Sequence, residues 1–477
     1  MIDEQSLLAE YPKEVAVDAG DVASEVSGSS PTLIVLDDDP TGTQSVADLP
    51  VLTKWQQSDF AWALGEDTPA IYVLTNTRSL DPHAAAARNR EVVQNASRAA
   101  GPLGRRLAFV SRGDSTLRGH YPVETDAIAE AVLAGTGESV DAVIIVPAFP
   151  DAGRVTIGGV HYMRGDGGLT PIAETEFALD ATFGYENSDL RVWVEEKTHG
   201  RWPADAVVTL DLATIRSGPD AITEALLGLR GATPVVVDAV TENDLRLLAL
   251  GVARAENLGK NLLYRVGPPF VRARIGQAVR PPLRADEIFG NGDGSRAIGG
   301  LIVVGSHVGL TSRQLGVLRD AGRLEDTIEI DTGLVLDSET IDAHLDDVSA
   351  RAVAALALGD VAMHTSRMLV KTDDPAESLA ISRTVSAAVV AVVQRILAST
   401  APRFVVAKGG ITSSDVASAG LGIRHAMVRG PMLPGLVSLW EPVDGPAKGI
   451  PYVVFAGNVG DDDSLATVVS TLTHRPL

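Results

Sequence analysis

The sequence contains no cysteine. Disulfides, zinc–thiolate sites and thiol nucleophiles are therefore excluded. Aromatic residues make up only 4% of the 477 residues, so the cores must be built from Ala, Val, Leu and Ile. A hydrophobic share of 45% is ample for that. No apolar run approaches the ~18 residues of a membrane-spanning helix; 142–149 is among the longest, and Pro147 interrupts it. The first 30 residues are acidic and rich in Ser and Gly, without the basic start or apolar stretch of a secretion signal. They read as a flexible N-terminal arm. The nine histidines show no H-x-x-x-H spacing, so no metal–histidine site is expected. Positive charge is scarce. With 40 Lys and Arg against 62 Asp and Glu, the net charge of −22 argues against a nucleic-acid or anionic-membrane partner. It leaves room for a local basic pocket that takes a small anion. These absences point to a cytoplasmic α/β protein, and the length to two domains, with homo-oligomerisation left open.

What is present is organised around Leu33-Ile-Val-Leu-Asp-Asp-Asp-Pro-Thr-Gly-Thr43. Four aliphatic residues run into three carboxylates, a proline and a glycine. An apolar run of this kind suits a strand buried on both faces of a parallel sheet. The acidic break then falls at the strand's C-terminal end, where open α/β sheets place their ligands. Three adjacent carboxylates repel one another, which sets a ligand-handling role against the plainer one of a solvated, self-capped turn. Two chemistries fit. Asp37-x-Asp39-x-Thr41 matches the strand end of haloacid-dehalogenase-like phosphatases, with Asp37 as nucleophile and Asp39 as acid. Asp38-Asp39-Pro40-Thr41-Gly42 equally fits a substrate and base loop of a small-molecule kinase.

Further strands are expected at 71–74, 107–110, 142–146, 207–210 and 234–237. Helices are expected from the Asp81-Pro82 cap to about 99, and near 122–133, 219–229 and 241–256. Residues 150–168 read as a glycine-rich segment. Alternating β and α segments indicate parallel sheets flanked by helices. Pro, Gly and charge concentrate at 280–299, which reads as the linker. The expected division is a 1–30 arm, a 31–280 domain, a 281–299 linker and a 300–477 domain. In the last, strands are expected at 301–304, 327–330, 367–370, 403–407, 436–439 and 452–455. Thr311 should cap one helix ending near 322, and Asp374-Pro-Ala-Glu377 a long one to about 397.

Two more strand ends of the first half carry polar groups. Arg112 precedes Asp114-Ser-Thr-Leu-Arg-Gly119, and Gly153-Arg154 follows Pro147–Pro150. Arginine's planar fork pairs bidentately with a carboxylate or phosphate, although an Arg–Asp pair tying down a turn has the same look. The second half offers Gly305-Ser306, Lys408-Gly-Gly-Ile-Thr412 ahead of Ser413 and Ser414, and Gly457-Asn-Val-Gly460. A strand, a glycine pair and a helix start make a phosphate cradle from free N–H groups and the helix dipole. The Walker A spacing is absent.

These pieces resemble, in order and over roughly residues 32 to 465, the four-carbon acid sugar kinase family. The matching runs are Asp38–Gly42, Asp114–Gly119, Pro147–Arg154 with Thr156, and Pro171-Ile-Ala-Glu-Thr-Glu176. Gly305-Ser306, Thr311–Gln314, Lys408–Thr412, Leu421-Gly-Ile423, Pro434-Gly435 and Gly457–Gly460 complete them. The resemblance implies an N-terminal sugar-acid-binding domain, a C-terminal nucleotide-binding domain and an active site in the cleft between them. ATP and Mg²⁺ would serve phosphorylation of a short sugar acid or its oxo form. Asp39 or Asp38 would be the base, and Asp38, Thr41, Arg112, Asp114, Ser115, Arg118 and Arg154 would hold the acid. ATP contacts would fall on Ser306, Gly409, Gly410, Ile411, Thr412 and Gly457; the metal ligands stay unknown. Arg112, Pro40 and His307 depart from the family's usual Lys, Leu and small residue, which bears on the substrate more than on the reaction. A phosphatase, for which Lys371-Thr-Asp373-Asp374 would supply the later groups, and an inactive sugar-acid sensor remain the alternatives.

Overall fold

The computed structural model describes residues 2–28, 30–165, 167–289, 297–366 and 375–473, with the side chains of 375–379 left aside. The chain forms two compact units, Met1–Val279 and Arg280–Leu477.

In the first unit the aliphatic runs pair into a parallel sheet. Its order is Leu49–Leu52, Ala70–Leu74, Thr32–Asp37, Leu107–Arg112, Leu262–Val266, Ala142–Val146, Thr233–Val237 and Val208–Leu210. The chain winds to one side of Thr32–Asp37 and then to the other, so that strand sits at the switch point where such sheets open a crevice. Register places the chemistry. Asp37 lies opposite both Leu74 and Arg112, Arg112 opposite Val266, and Val266 opposite Val146. The turns after all five of these strands therefore leave the sheet at the same level. Helices cover it, including Pro82–Ala100, which Asp81 caps by accepting the Ala84 N–H at 3.0 Å as expected. The buried core joins Ile34, Leu36, Phe60, Ile71, Val73, Ile128 and Trp193.

The expected glycine-rich segment is instead a small antiparallel sheet of Arg154–Ile157, Val160–Gly165 and Gly168–Pro171. Gly158 and Gly159 turn its first hairpin at φ +63° and +79°, conformations that side chains resist. Their N–H groups donate to the Asp238 carboxylate at 2.7 and 2.8 Å.

The N-terminal arm is docked rather than loose. Ile2 pairs with Leu169, Arg216 donates to the Pro12 carbonyl at 2.7 Å, and Val22 of helix Ala19–Val26 is buried beside Ala249. The supposed linker also begins as part of the second unit, because Leu283 is buried in that unit's core and Ala285–Phe289 is helical.

The second unit has the parallel order Leu324–Ile330, Asp360–Thr365, Leu301–Val304, Val405–Lys408 and Tyr452–Phe455, extended by antiparallel Val437–Pro442 and His425–Leu433. Val304 lies opposite Lys408, and Lys408 opposite Phe455, so the three glycine turns emerge together. The strand expected at 367–370 and the Asp374 cap lie outside the described residues. Thr311 is not a cap: it lies inside the helix Gly309–Asp320, and its hydroxyl donates to the Gly457 carbonyl at 2.8 Å. Contrary to the hydropathy reading, Ala380–Ser399 of helix Pro375–Ser399 is long and apolar enough, by length and composition, to cross a membrane. It carries Arg383 and Arg395 and buries Val392, Val393 and Ile396 within this unit.

Candidate active site

The acidic turn has a layered arrangement. Asp37, last in its strand, is buried against the Arg112 guanidinium opposite it. Arg112 is buried too, also reaches Asp38 at 3.5 Å and donates to the Asp39 carbonyl. Arg112, which the sequence reading assigned to the acid, thus clamps the turn from beneath. Burial pushes Asp37 up to about 7, against the pull of Arg112 and with the help of Asp38 and Asp39. A Cβ on Gly42 would overlap both the Asp37 carboxylate and Arg112, which explains a glycine there.

Asp38 is 2% exposed, and both its oxygens are taken by Arg78, at 2.7 Å from Nη2 and 3.1 Å from Nε. Sequence reasoning missed Arg78. It stands on the turn Thr77–Ser79 after Ala70–Leu74, so the strand-end rule applied to the other loops would have found it.

Asp39 is the open member, with a side chain 20% exposed. Its extended backbone caps the turn Pro40–Ser45. Oδ1 accepts the Thr41 N–H at 2.9 Å and the Thr41 hydroxyl at 2.5 Å. Oδ2 has Arg78 Nη1 at 3.6 Å, beyond hydrogen-bond length. Burial alone would raise its pKa, but Arg78, Arg112 and the Thr41 bonds outweigh it and hold it below the ordinary carboxylate range.

In the neighbouring turn Asp114 accepts the Thr116 N–H at 2.9 Å and pairs with Arg118 at 2.7 Å. Despite burial, Arg78 and Arg118 keep Asp114 well below the ordinary range. Arg118 also reaches Asp180 at 3.4 Å and lies over the Phe177 ring at 5.2 Å, so its fork is largely committed. Leu117 at φ +68° is strained for a branched side chain. The turn tolerates this because His161 Nε2 lies 2.8 Å from the Ser115 carbonyl and the Tyr185 hydroxyl donates to that of Thr116 at 2.8 Å. Burial pushes His161 down to about 4, so its imidazole is neutral.

Arg154 is different. It opens the small sheet, 6.0 Å from the Phe177 ring centroid, and its Nε is buried without a hydrogen-bond partner. Among the described residues no carboxylate forms an ion pair with it. Thr41, Asp114, Ser115 and Arg118 thus leave the large sheet at the same end as Asp39, while Arg154 opens the small sheet and shares the Phe177 ring with Arg118.

The second unit assembles the glycine turns. Gly409, at φ +129°, ends Val405–Lys408 and precedes the helix Gly410–Asp415, whose first N–H groups have no helical acceptor. A Cβ on Gly305 would overlap the Thr412 hydroxyl, and one on Gly457 would overlap that of Ser306. These approaches bring Ser306, Gly409–Thr412 and Gly457 together. Beside them opens a cavity of about 180 Å³ whose walls include Ile381, Val385, Val389, Ile411 and Val416. The Thr365 hydroxyl on its wall is buried without a partner. Sequence reasoning missed this cavity, whose walls come from a helix far along the chain. Behind the cradle Lys408 is fully buried, its Nζ donating to the Ala456 carbonyl at 2.7 Å. Among the described residues no group of three or more carboxylates or histidines could hold a metal ion.

Residues 33–274 match the description "Sugar-binding N-terminal domain", and residues 301–465 "Nucleotide-binding C-terminal domain". The chain belongs to the four-carbon acid sugar kinase family. It is 30% identical over 270 residues to the D-threonate kinase of Cupriavidus necator, covering 51% of this chain and 52% of the relative. It is 29% identical over 261 residues to the D-erythronate kinase of Heliobacterium modesticaldum, covering 54% and 52%. The chain thus spans about half the length of these two relatives. A 3-oxo-tetronate kinase of Methylobacterium radiotolerans is 26% identical over 415 residues, covering 83% and 88%. Among solved structures, a Salmonella typhimurium protein described as a tRNA synthase superposes with a TM-score of 0.66 at 18% identity, covering 91% of this chain and 98% of that one. A Haemophilus influenzae DUF1537 protein superposes with a TM-score of 0.59 at 17% identity, covering 92% and 99%. These two likenesses concern the fold.

Proposed function

We propose that the protein is an ATP-dependent kinase that phosphorylates a hydroxyl of a four-carbon-type sugar acid or its oxo derivative. The observation that carries this is the unequal treatment of three adjacent carboxylates. Asp37 is spent on Arg112 and Asp38 on Arg78, while Asp39 is ionised and open. The names of the relatives support the same class of acceptor.

Asp39 Oδ2 takes the proton of the acceptor hydroxyl as its oxygen bonds to the γ-phosphorus and the bond to the ADP oxygen breaks. Arg154, which pairs with no carboxylate among the described residues, holds the substrate carboxylate bidentately, with Arg118 beside it. The hydroxyls of Thr41 and Ser115 and the Asp114 carboxylate are the partners for substrate hydroxyls. In the second unit Ser306, Gly457 and the amides of Gly409–Thr412 cradle the phosphates, since the glycines leave main chain open to an anion. The apolar cavity suits an adenine, with Thr365 for a ring nitrogen. Mg²⁺ neutralises phosphate charge when bound. Magnesium needs few protein ligands in such sites. The need for ATP supports a cytoplasmic setting.

A dehalogenase-like phosphatase is less well served. Its nucleophile would be Asp37, which lies buried beneath the turn with Arg112 upon it.

Asp39→Asn tests the assignment. It should keep affinity for ATP and the acid in calorimetry while turnover falls roughly 10²–10⁴-fold, the usual loss for a general base. Full activity in Asp39→Asn with the loss in Asp38→Asn would exchange the roles.

A further inference from the structure

We propose that Arg78 is the positioning residue that divides the two neighbouring carboxylates, taking both oxygens of Asp38 and leaving Asp39 open to the acceptor hydroxyl. This inference rests on the kinase reading above.

Arg78 is set by main chain as well as by charge. The Thr75 and Asn76 N–H groups donate to the Asp37 carbonyl at 2.9 and 3.2 Å, and that of Arg78 to the Asp38 carbonyl at 3.3 Å. The Thr75 hydroxyl adds a bond to the Asp37 carbonyl at 2.9 Å. Asn76 turns the chain through the left-handed region at φ +52°. The turn carrying Arg78 is thus laced to the acidic turn before any side chain acts. The guanidinium then uses Nε and Nη2 on Asp38. Nη1 lies between Asp39 Oδ2 at 3.6 Å and Asp114 Oδ2 at 3.8 Å, bonded to neither. One planar fork thereby closes one carboxylate and lends its charge to two others. A lysine has one point charge and lacks this geometry.

The charged groups facing Asp39 are Arg78 from one neighbouring turn, Arg112 from the other, and Asp37 and Asp38 of its own strand end. Removing Arg78 leaves three adjacent acids with Arg112 alone, so protonation of one becomes easier and Asp39 titrates at higher pH. Replacing Asp38 does the reverse, because it deletes a negative neighbour and frees the fork for Asp39. A merely structural arginine would predict lower activity in both variants and no movement in pH.

The experiment compares the full-length protein with Arg78→Met, Arg78→Lys and Asp38→Asn. The first readout is the pH profile of kcat/KM for the sugar acid. The second is carboxyl titration by ¹³C NMR of aspartate-labelled protein, with Asp39→Asn identifying the resonance. We expect the acid limb and the Asp39 resonance to move to higher pH in Arg78→Met and to lower pH in Asp38→Asn. Arg78→Lys should restore the acid limb towards wild type without restoring kcat, and ATP affinity should stay unchanged in all three. Unmoved Asp39 titration in Arg78→Met, or movement in the same direction in Asp38→Asn, overturns the proposal. If Arg78→Met does not fold, Arg78→Lys and Asp38→Asn decide by the same signs. If the wild type releases no ADP with any acid, the kinase reading fails. The carboxyl titration then still decides whether Arg78 governs Asp39.

Discussion

Lys408 carries its charge into a place with no exposure to water, one carbonyl acceptor and the Phe455 ring 3.8 Å away. Burial lowers it from 10.5 to about 7. Between those values the unfolded chain holds a proton that the folded chain has released, so stability should rise with pH across that window. Below pH 7 the full cost of the buried charge is felt. Lys408→Met should therefore be more stable near pH 7, by about 1–3 kcal/mol, and should lose the rise towards pH 10. Urea unfolding at stepped pH checks both; a less stable Met variant with the slope intact would contradict the burial argument. Arg154 makes the complementary case. Arg154→Ala should weaken binding of the acid by about 2–4 kcal/mol and leave ATP affinity unchanged, since a buried anion loses its charged partner. Calorimetry showing equal losses for both ligands would make Arg154 structural. At this scale the sequence was informative about which turns matter and poor on what each side chain does. Asp37 and Arg112 end adjacent strands in register, which turns them onto each other. That register is invisible without the partner strand, so the Asp37–Arg112 pair and Arg78 passed unnoticed.

Among the elements, strands made of unbroken aliphatic runs were legible, as at Thr32–Asp37, Ala142–Val146 and Tyr452–Phe455. Several strands interrupted by polar residues were not. Leu262–Val266 contains Arg265, Asp360–Thr365 contains His364, and His425–Leu433 contains Arg429, Gly430 and Pro431. Tertiary pairing overrides the local pattern there. The hairpins after Gly153 were hidden by glycines that serve their turns. The glycine turns of the second unit were legible because close approach leaves few residue choices, and they carry a prediction of their own. Gly305→Ala adds a methyl group where the Thr412 hydroxyl stands, pushing the first helical turn out of line. ATP affinity should fall at least tenfold, or about 1.4 kcal/mol, while acid binding is retained. The double variant Gly305→Ala/Thr412→Gly should recover part of it. Unchanged ATP affinity in Gly305→Ala would remove this turn from the nucleotide site.

For the whole molecule, the division between Val279 and Arg280 agrees with the gap between the two matched domains, which end at 274 and resume at 301. Length indicated two domains. It did not indicate that residues 2–28 would be tied down by backbone pairing and by Val22, since scattered anchoring contacts leave no pattern in an acidic stretch. A chain of net charge −22 is proposed to bind two anions, and the contradiction is local. Arg78 and Arg112 converge on the acidic strand end, Arg118 pairs with Asp114 in the neighbouring turn, and uncharged glycine amides are the proposed contacts for the other ligand. The central claim is that these two sets of turns serve one transfer of phosphate from ATP. Its most direct test is ADP release by the purified full-length protein with ATP and Mg²⁺, over D-threonate, D-erythronate, 3-oxo-tetronate and five-carbon sugar acids. ADP should form only when one of the acids is present, and Asp39→Asn should slow its release roughly 10²–10⁴-fold. Hydrolysis of p-nitrophenyl phosphate with no acid-dependent ADP release would contradict the account.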